Sequence, residues 1–196
     1  MNKLSIIIPV FNEEKTILKL LDKVIKANTG QISKEIVIVN DCSTDNSSEL
    51  IQEYILANPN NNFIYEENKF NKGKGYSLNK GILISTGDLI LFQDADLEYD
   101  PNEYSDLLKP ILEGYADVVY GSRFQGSKPH RILFFWHTLG NKFLTFISNA
   151  LTNLNLTDME TCYKLFKRQV IEQIQIRENR FGIEPEITAK ISKIPN

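Results

Sequence analysis

The sequence has few cysteines and no long apolar segment, and each absence excludes a class of protein. Cys42 and Cys162 are too few for a disulfide framework and fit a reducing cytoplasm. No apolar run approaches the roughly 18 residues that cross a bilayer. The short N-terminal run is interrupted by Pro9 and followed by acids, unlike a signal peptide. We therefore expect a cytoplasmic protein, neither a disulfide-rich secreted one nor an integral membrane one.

Acidic residues are missing from one long segment, residues 122–157. The whole chain of 196 residues carries 22 Lys+Arg and 25 Asp+Glu, for a net charge of −3. Residues 1–121 hold 11 basic and 19 acidic residues (net −8), whereas residues 122–196 hold 11 and 6 (net +5). The length suits one domain. We expect a single domain, 1–196, with two chemically unlike parts that join near Gly121.

The first part alternates apolar, β-branched runs with amphipathic helical patterns, which is typical of an α/β fold with a mostly parallel sheet flanked by helices. The predicted strands are residues 4–10, 35–39, 62–65, 88–93 and 116–120. The predicted helices are residues 13–27, 75–85 and 102–113, with a further one through 50–55. After Gly121, apolar residues at steps of three and four from Leu133 to Leu154 predict an amphipathic helix. A strand-like segment, 161–166, and two helical stretches follow.

Three acids, Asp94, Asp96 and Glu98, come directly after the apolar strand LILF. In an extended segment, residues two apart point the same way, and open α/β sheets bind ligands at the carboxyl ends of their strands. Clustered carboxylates repel one another unless a cation relieves them, and hard oxygen ligands favour Mg²⁺ or Mn²⁺. The segment therefore predicts either a divalent metal site or a solvated acidic loop.

Other polar and aromatic residues follow strands that end at the same predicted edge. Asp41 ends the second strand, where it could accept hydrogen bonds from a nucleobase or a ribose. Phe11, after the first strand, could stack on a base, and Glu13 could bind a ribose hydroxyl. Taken alone, Glu13 also fits an acid in the first turn of a helix.

Two cationic segments could meet phosphate groups. Lys74 lies in the sequence KGKG just before a predicted helix, whose first amides favour anions, although the segment is neither a Walker A motif nor a dinucleotide fingerprint. Arg123 follows another predicted strand and offers a guanidinium for phosphate.

The order of these segments resembles that of a known enzyme family. The blocks IIIPVFNEE, VIVNDCSTDNS, NKGKGYSLNKGI, GDLILFQDADLEYDP and VVYGSRF are similar to those of the family 2 glycosyltransferases, which have the GT-A fold. The later blocks PHRILFFWHTLGNKFLTFISN, TDMETCYKLFKRQVI and FGIEPEITAKI resemble the bacterial branch near the dolichol-phosphate mannosyltransferases and polyprenyl-phosphate glycosyltransferases.

The resemblance implies transfer of a sugar from a UDP- or GDP-linked donor, with inversion at the anomeric carbon. Asp94 and Asp96 match the aspartates of the DxD motif, so Asp96 and Glu98 are expected to coordinate Mg²⁺ or Mn²⁺ with Asp94 nearby. The resemblance also implies that Arg123 meets a phosphate, and Lys74 is expected at a phosphate from its place before the helix. The residues expected to hold the nucleotide are Pro9, Phe11, Glu13, Asp41 and Ala95.

The resemblance also indicates the acceptor side, residues 122–196, with a polyprenyl or dolichyl phosphate or a cell-envelope glycan as acceptor. Asp158 matches the acidic position of the acceptor loop and is the expected general base, with Glu160 as its alternative. A phosphate acceptor needs no deprotonation, and Asp158 would then only position it. Glu186 is expected to form a polar wall of the sugar pocket.

The aromatic, acid-free segment 131–151 suits a helix on the surface of an anionic membrane, or one that packs on the sheet or on another subunit. The expected location is therefore the cytoplasm, with peripheral contact at the inner face of the membrane. No nucleic-acid partner is expected, and the oligomeric state is left open.

Some positions depart from the family pattern. Asn40 stands where an Asp is usual, and Cys42 where a Gly is usual. The chain ends at ISKIPN, before the further strand and basic segment that the resemblance implies. A short natural form and a truncated one both fit this ending. The alternative function is a catalytically silent protein that binds nucleotide sugars or acts as a scaffold.

Overall fold

The predicted sheet is present in the computed structural model, which describes residues 2–124 and 134–194. Within these ranges six strands form one sheet in the order β3-β2-β1-β4-β6-β5. β1 to β4 are mutually parallel where they pair, and β6 runs antiparallel to both β4 and β5. The strands are β1 (Lys3–Val10), β2 (Ser33–Asn40), β3 (Phe63–Glu67), β4 (Leu89–Phe92), β5 (Val118–Tyr120) and β6 (Lys164–Lys167).

Helices connect the parallel strands β1 to β4, as the sequence pattern predicts, and further helices follow β4, β5 and β6. They are α1 (Ile17–Lys26), α2 (Ser47–Ala57), α3 (Lys74–Ile84), α4 (Tyr104–Leu112), α5 (Phe135–Thr152), α6 (Arg168–Ile171) and α7 (Ile183–Ile191). α1 begins four residues later than predicted. Residues 14–16 form a turn in which the carbonyl of Glu13 accepts hydrogen bonds from the amides of both Thr16 and Ile17. This turn holds Glu13 at the end of β1 and outside the helix.

The core lies on both faces of the central strands. Leu4, Ile7 and Val10 of β1 are buried, as are Leu20 and Val24 on the inner side of α1. A strand that is covered on both faces needs a continuous apolar run, and the sequence of β1 has one. The parallel pairing of β1 with β2 and β4 places their carboxyl ends at one edge of the sheet, where the polar residues of interest follow.

The end of β4 is held by a buried polar network. The side-chain oxygen of Gln93 accepts hydrogen bonds from the hydroxyls of Tyr104 (2.7 Å) and Tyr163 (2.9 Å). Burial raises the pKa of Tyr104 well above its ordinary value, so this hydroxyl stays protonated and remains a donor. The network fixes the direction in which the chain leaves β4 toward Asp94.

The amphipathic helix predicted after Gly121 is α5. It packs against α7, and Thr145 is its buried residue. Most of its apolar side chains remain exposed, Trp136 with 76% of its surface. None of the helices in the described ranges is long and apolar enough to cross a membrane. The first residues of the predicted membrane contact, 131–133, lie outside the described ranges.

Candidate active site

A cavity of about 430 Å³ opens at the carboxyl edge of the parallel strands. It brings together residues that follow β1, β2 and β4, as well as the first turn of α3 and the segment before α7. The lining residues are Pro9, Val10, Phe11, Glu13, Asp41, Asn71, Gly73, Lys74, Ser77, Asp94, Ala95, Asp96, Arg180 and Phe181. Every residue predicted to hold the nucleotide lies in this cavity, together with Lys74 and both aspartates of the DxD sequence.

Asp41 is buried at the end of β2 and organises the neighbouring loop. Its carboxylate accepts hydrogen bonds from the amides of Lys72 (2.9 Å) and Gly73 (2.6 Å) and from the side chain of Asn68 (2.7 Å). These bonds compensate the burial of the charge. Asp41 therefore lines the cavity and also fixes the loop that forms part of the cavity wall.

Glu13 shows that the cavity concentrates negative charge. Burial raises the pKa of Glu13, and the charges of Asp96, Asp94 and Asp45 raise it further, against a hydrogen bond from the hydroxyl of Thr16. A cavity of this kind attracts cations and repels a bare phosphate group. A ligand with a diphosphate group therefore needs cations in the same space.

Lys74 joins two carboxylates from distant parts of the chain. Its ammonium group lies 2.9 Å from Asp94 Oδ1 and 2.9 Å from Glu184 Oε1. Burial acts to lower the pKa of Lys74, but the surroundings, Cys162, Asp94 and Glu184, raise it well above its ordinary value. The ion pairs connect the end of β4 to α7. They also neutralise the charge of Lys74, the residue predicted to meet phosphate.

The predicted metal ligands are separated in the structure. Lys74 holds Asp94, and Glu98 Oε1 lies 3.6 Å from Arg123 Nη1. Asp96 is exposed, and one of its oxygens accepts a hydrogen bond from the amide of Glu98 (2.9 Å). In the described part of the chain, no group of three or more His, Cys, Asp or Glu side chains could hold a metal ion. The expected set of Asp94, Asp96 and Glu98 is therefore not assembled here.

Asp96 by itself still fits a metal that binds together with a substrate. Mg²⁺ usually keeps several waters and binds through one or two carboxylates and the phosphates of its substrate. Asp96 is exposed and lines the cavity, and its second oxygen has no hydrogen bond within residues 2–124 and 134–194. Asp96 thus offers one hard oxygen ligand for a metal, and this oxygen faces a space that could take a diphosphate.

The two candidate general bases have opposite environments. Arg123 donates to both oxygens of Asp158, and Asn141 donates to one of them. Burial acts to raise the pKa of Asp158, but the hydrogen bonds and charge of Arg123 hold it below its ordinary value. Burial and the charge of Glu184 raise the pKa of Glu160. The choice between Asp158 and Glu160 as general base stays a prediction. Arg123 and Asn141 occupy the carboxylate of Asp158, whereas a raised pKa would improve Glu160 as a proton acceptor.

Glu186 lies away from the position expected for it. It is absent from the lining of the cavity, and its carboxylate accepts hydrogen bonds from the amides of Arg177 (2.9 Å) and Glu178 (2.8 Å). It also pairs with Lys190 one turn along α7. Glu186 thus holds the segment before α7 in place through the backbone amides of residues 177 and 178.

That segment supplies two cavity residues that the sequence analysis missed, Arg180 and Phe181. The backbone of residues 178–179 packs directly on Gly73 and Gly75, where an added Cβ would overlap the carbonyl oxygens of Asn179 and Glu178. The amide of Tyr76 also donates to the carbonyl of Asn179 (3.0 Å). The glycines of NKGKG were the available signal, since glycine often marks close approach of two backbones.

Comparison with known proteins identifies the family. The model of the family described as "Glycosyl transferase family 2" matches residues 5–175. The chain belongs to this family.

Curated relatives of the family-2 chain include two whose names refer to lipid phosphates. One is the dolichyl-phosphate beta-glucosyltransferase ALG5A of Trichomonas vaginalis, which is 32% identical over 98% of this chain and 64% of its own length. Another is the undecaprenyl-phosphate 4-deoxy-4-formamido-L-arabinose transferase of Proteus mirabilis, which is 29% identical over 87% of this chain and 51% of its own length. The chain thus spans less than two thirds of the length of these relatives.

Solved structures confirm the predicted GT-A fold. Glucosyl-3-phosphoglycerate synthase of Mycobacterium tuberculosis superposes with a TM-score of 0.70 at 18% identity, over 95% of this chain and 64% of that one. A mannosyltransferase of Pyrobaculum calidifontis, solved in complex with GDP-Man and Mn²⁺, gives 0.69 at 19% identity, over 96% and 51%.

Proposed function

We propose that this chain carries the donor site of an inverting glycosyltransferase that moves a sugar from a UDP- or GDP-linked donor to a polyprenyl or dolichyl phosphate. The observation that carries the proposal is the cavity at the carboxyl edge of the sheet. It unites Phe11, Glu13, Asp41 and Asp96 in a chain of family 2. An aromatic ring, the hydrogen-bond acceptors Glu13 (half-buried) and Asp41 (buried), and an exposed carboxylate are suitable for a base, a ribose and a metal-bound diphosphate, respectively.

In the proposed reaction an oxygen of the acceptor phosphate attacks the anomeric carbon of the sugar. The bond from that carbon to the donor's diphosphate breaks, and the nucleoside diphosphate leaves with the electron pair. Mg²⁺ or Mn²⁺ held by Asp96 would offset the charge that develops on the leaving group. Glu98 could join as a second ligand after leaving Arg123, and that guanidinium could then meet a phosphate.

The proposed acceptor follows from the relatives and from α5. Both curated relatives described above are named for dolichyl or undecaprenyl phosphate carriers. α5 exposes Phe135, Trp136 and Phe146, and the segment around it has no acids. Aromatic side chains beside basic residues suit the surface of an anionic membrane. We therefore propose that the protein acts at the cytoplasmic face of the membrane. If the acceptor is instead a glycan hydroxyl, Glu160 would be the general base.

Incubation of the protein with Mn²⁺, a polyprenyl phosphate and a panel of UDP-, GDP- and dTDP-sugars tests the proposal. Formation of a glycosylated lipid from an α-linked donor, with a β linkage by NMR, is the expected result. Binding of a nucleotide sugar without turnover would favour the silent alternative. That alternative gains support from one observation: cations hold both Asp94 and Glu98, so no metal cluster is preassembled among the described residues. No binding of any nucleotide would contradict both the transferase and a nucleotide-sugar-binding protein, and would leave only the scaffold.

A further inference from the structure

The charges that line the cavity are unbalanced. Four of its side chains are carboxylates and two are cations, and these six residues are Glu13, Asp41, Asp94, Asp96, Lys74 and Arg180. A nucleoside diphosphate adds further negative charge to this space. Binding of the diphosphate therefore requires cationic groups that are not already neutralised by the protein.

Lys74 is already neutralised. Its ammonium group contacts Asp94 and Glu184 at 2.9 Å each. Separating a buried ion pair exposes an uncompensated charge and is costly. Lys74 therefore keeps its partners when a ligand binds, and the second cation of the cavity, Arg180, is left to meet the phosphates.

Arg180 combines an uncommitted charge with a fixed backbone. Within the described ranges its guanidinium forms no ion pair or hydrogen bond, and the residue is exposed to solvent at the cavity. Its side-chain stem packs on Gly73, where an added Cβ would lie 2.8 Å from the Cγ of Arg180. The preceding backbone is fixed by the bond from Tyr76 to Asn179 and by the bonds from residues 177 and 178 to Glu186.

We propose that Arg180 binds the diphosphate of the nucleotide donor, in the cavity that it shares with the exposed carboxylate of Asp96, which would hold the metal. The inference rests on the proposed function, since it takes a nucleoside diphosphate as the ligand. A guanidinium binds phosphate oxygens through two parallel hydrogen bonds, and an anchored backbone reduces the entropy lost on binding. Glu186 is a positioning residue in this arrangement, because it holds the segment that carries Arg180.

The test compares a nucleotide with its nucleoside. Affinities of the whole chain for UDP and uridine, and for GDP and guanosine, are measured by calorimetry or NMR titration with Mn²⁺ present. For whichever diphosphate the unmodified protein binds, Arg180→Ala should weaken binding about tenfold or more, because a charge-assisted hydrogen bond is lost. The affinity for the matching nucleoside should change less than about twofold. Arg180→Lys should retain part of the diphosphate affinity.

Arg177→Ala is the matched control, because Arg177 is an exposed arginine of the same segment that does not line the cavity. It should bind both ligands as the unmodified protein does. If the unmodified protein binds a diphosphate and Arg180→Ala binds it equally well, the inference is wrong and the proposed function stands. If Arg180→Ala loses affinity for the nucleotide and the nucleoside equally, the inference is also wrong, because such a loss indicates that the whole cavity has collapsed. If the unmodified protein binds no nucleoside diphosphate, the proposed function and the inference fail together.

Discussion

The guanidinium of Arg123 donates two parallel hydrogen bonds to the carboxylate of Asp158, from Nε to Oδ2 (2.8 Å) and from Nη2 to Oδ1 (2.9 Å). The amide of Arg123 adds a third bond to Oδ2 at 3.1 Å, and Asp158 is only 1% exposed. Both residues were expected to act directly on substrates. Their mutual contact joins the segment after β5 to the loop before β6, and both oxygens of Asp158 accept hydrogen bonds in this structure.

We predict that Asp158→Asn lowers the free energy of unfolding by about 3 kcal/mol, since it removes one partner of a largely buried pair. Urea denaturation measures the change. Asp117→Asn is the control, because Asp117 forms an exposed pair with Lys167 that should contribute under about 1 kcal/mol. Unchanged stability of Asp158→Asn together with lost turnover would contradict the structural role and support Asp158 as the general base.

The same contact predicts a direction of pH dependence. The pKa of Asp158 is lowered by Arg123 in the folded protein, so its unfolded form binds a proton more readily. The stabilisation is therefore fully present above the unfolded pKa of about 3.9 and is lost as the pH falls through the lower folded value. The stability difference between the unmodified protein and Asp158→Asn should shrink below about pH 4. A difference that stays constant down to about pH 2 would contradict this.

Asp96→Asn should remove the Mn²⁺-dependent part of nucleoside diphosphate binding, because an amide oxygen is a much weaker ligand for a hard cation than a carboxylate. Titration of UDP and GDP with and without Mn²⁺ gives the readout. Asp100→Asn is the matched control, since Asp100 caps the turn Pro101–Glu103 and asparagine caps equally well. Full retention of the Mn²⁺ effect in Asp96→Asn would exclude Asp96 as a ligand.

The positions of Asp41 and Asp94 at one edge of the sheet could be predicted, because they depend on local patterns. Alternating strands and helices give parallel strands, and the residue after each strand then lies at the carboxyl edge. The choice of ion-pair partner could not be predicted in this way. Lys74 meets Glu184 because the segment before α7 packs on the start of α3, and no local periodicity encodes that packing. The role of Glu186 and the presence of Arg180 in the cavity depend on the same tertiary contact.

The exposed side chains of α5 predict binding to anionic vesicles. Trp136 is the single tryptophan of the chain, so its fluorescence reports on this helix directly. We expect a blue shift with phosphatidylglycerol vesicles and little change with phosphatidylcholine, because the surrounding segment is basic and acid-free. High salt should weaken the effect, since it screens charge attraction.

A matched pair of variants tests whether α5 is the surface that binds. Phe146 in α5 is 70% exposed, and Phe70 after β3 is 71% exposed. Phe146→Ser should reduce flotation with anionic vesicles, whereas Phe70→Ser should leave it unchanged. Equal effects of the two substitutions, or no blue shift of Trp136, would exclude the proposed membrane contact of this helix.

Two glycine-to-alanine substitutions should change stability in opposite directions. In Gly75→Ala the new methyl group would overlap the backbone of Glu178 and Asn179, so we expect a loss of about 1–3 kcal/mol from overpacking. In Gly140→Ala nothing lies within 4 Å of the new group, and an exposed helix position should gain about 1 kcal/mol. Nucleoside diphosphate affinity should also fall in Gly75→Ala, because the displaced segment carries Arg180, and should stay unchanged in Gly140→Ala. Normal stability and affinity of Gly75→Ala would show that α3 and the segment before α7 are not in close contact.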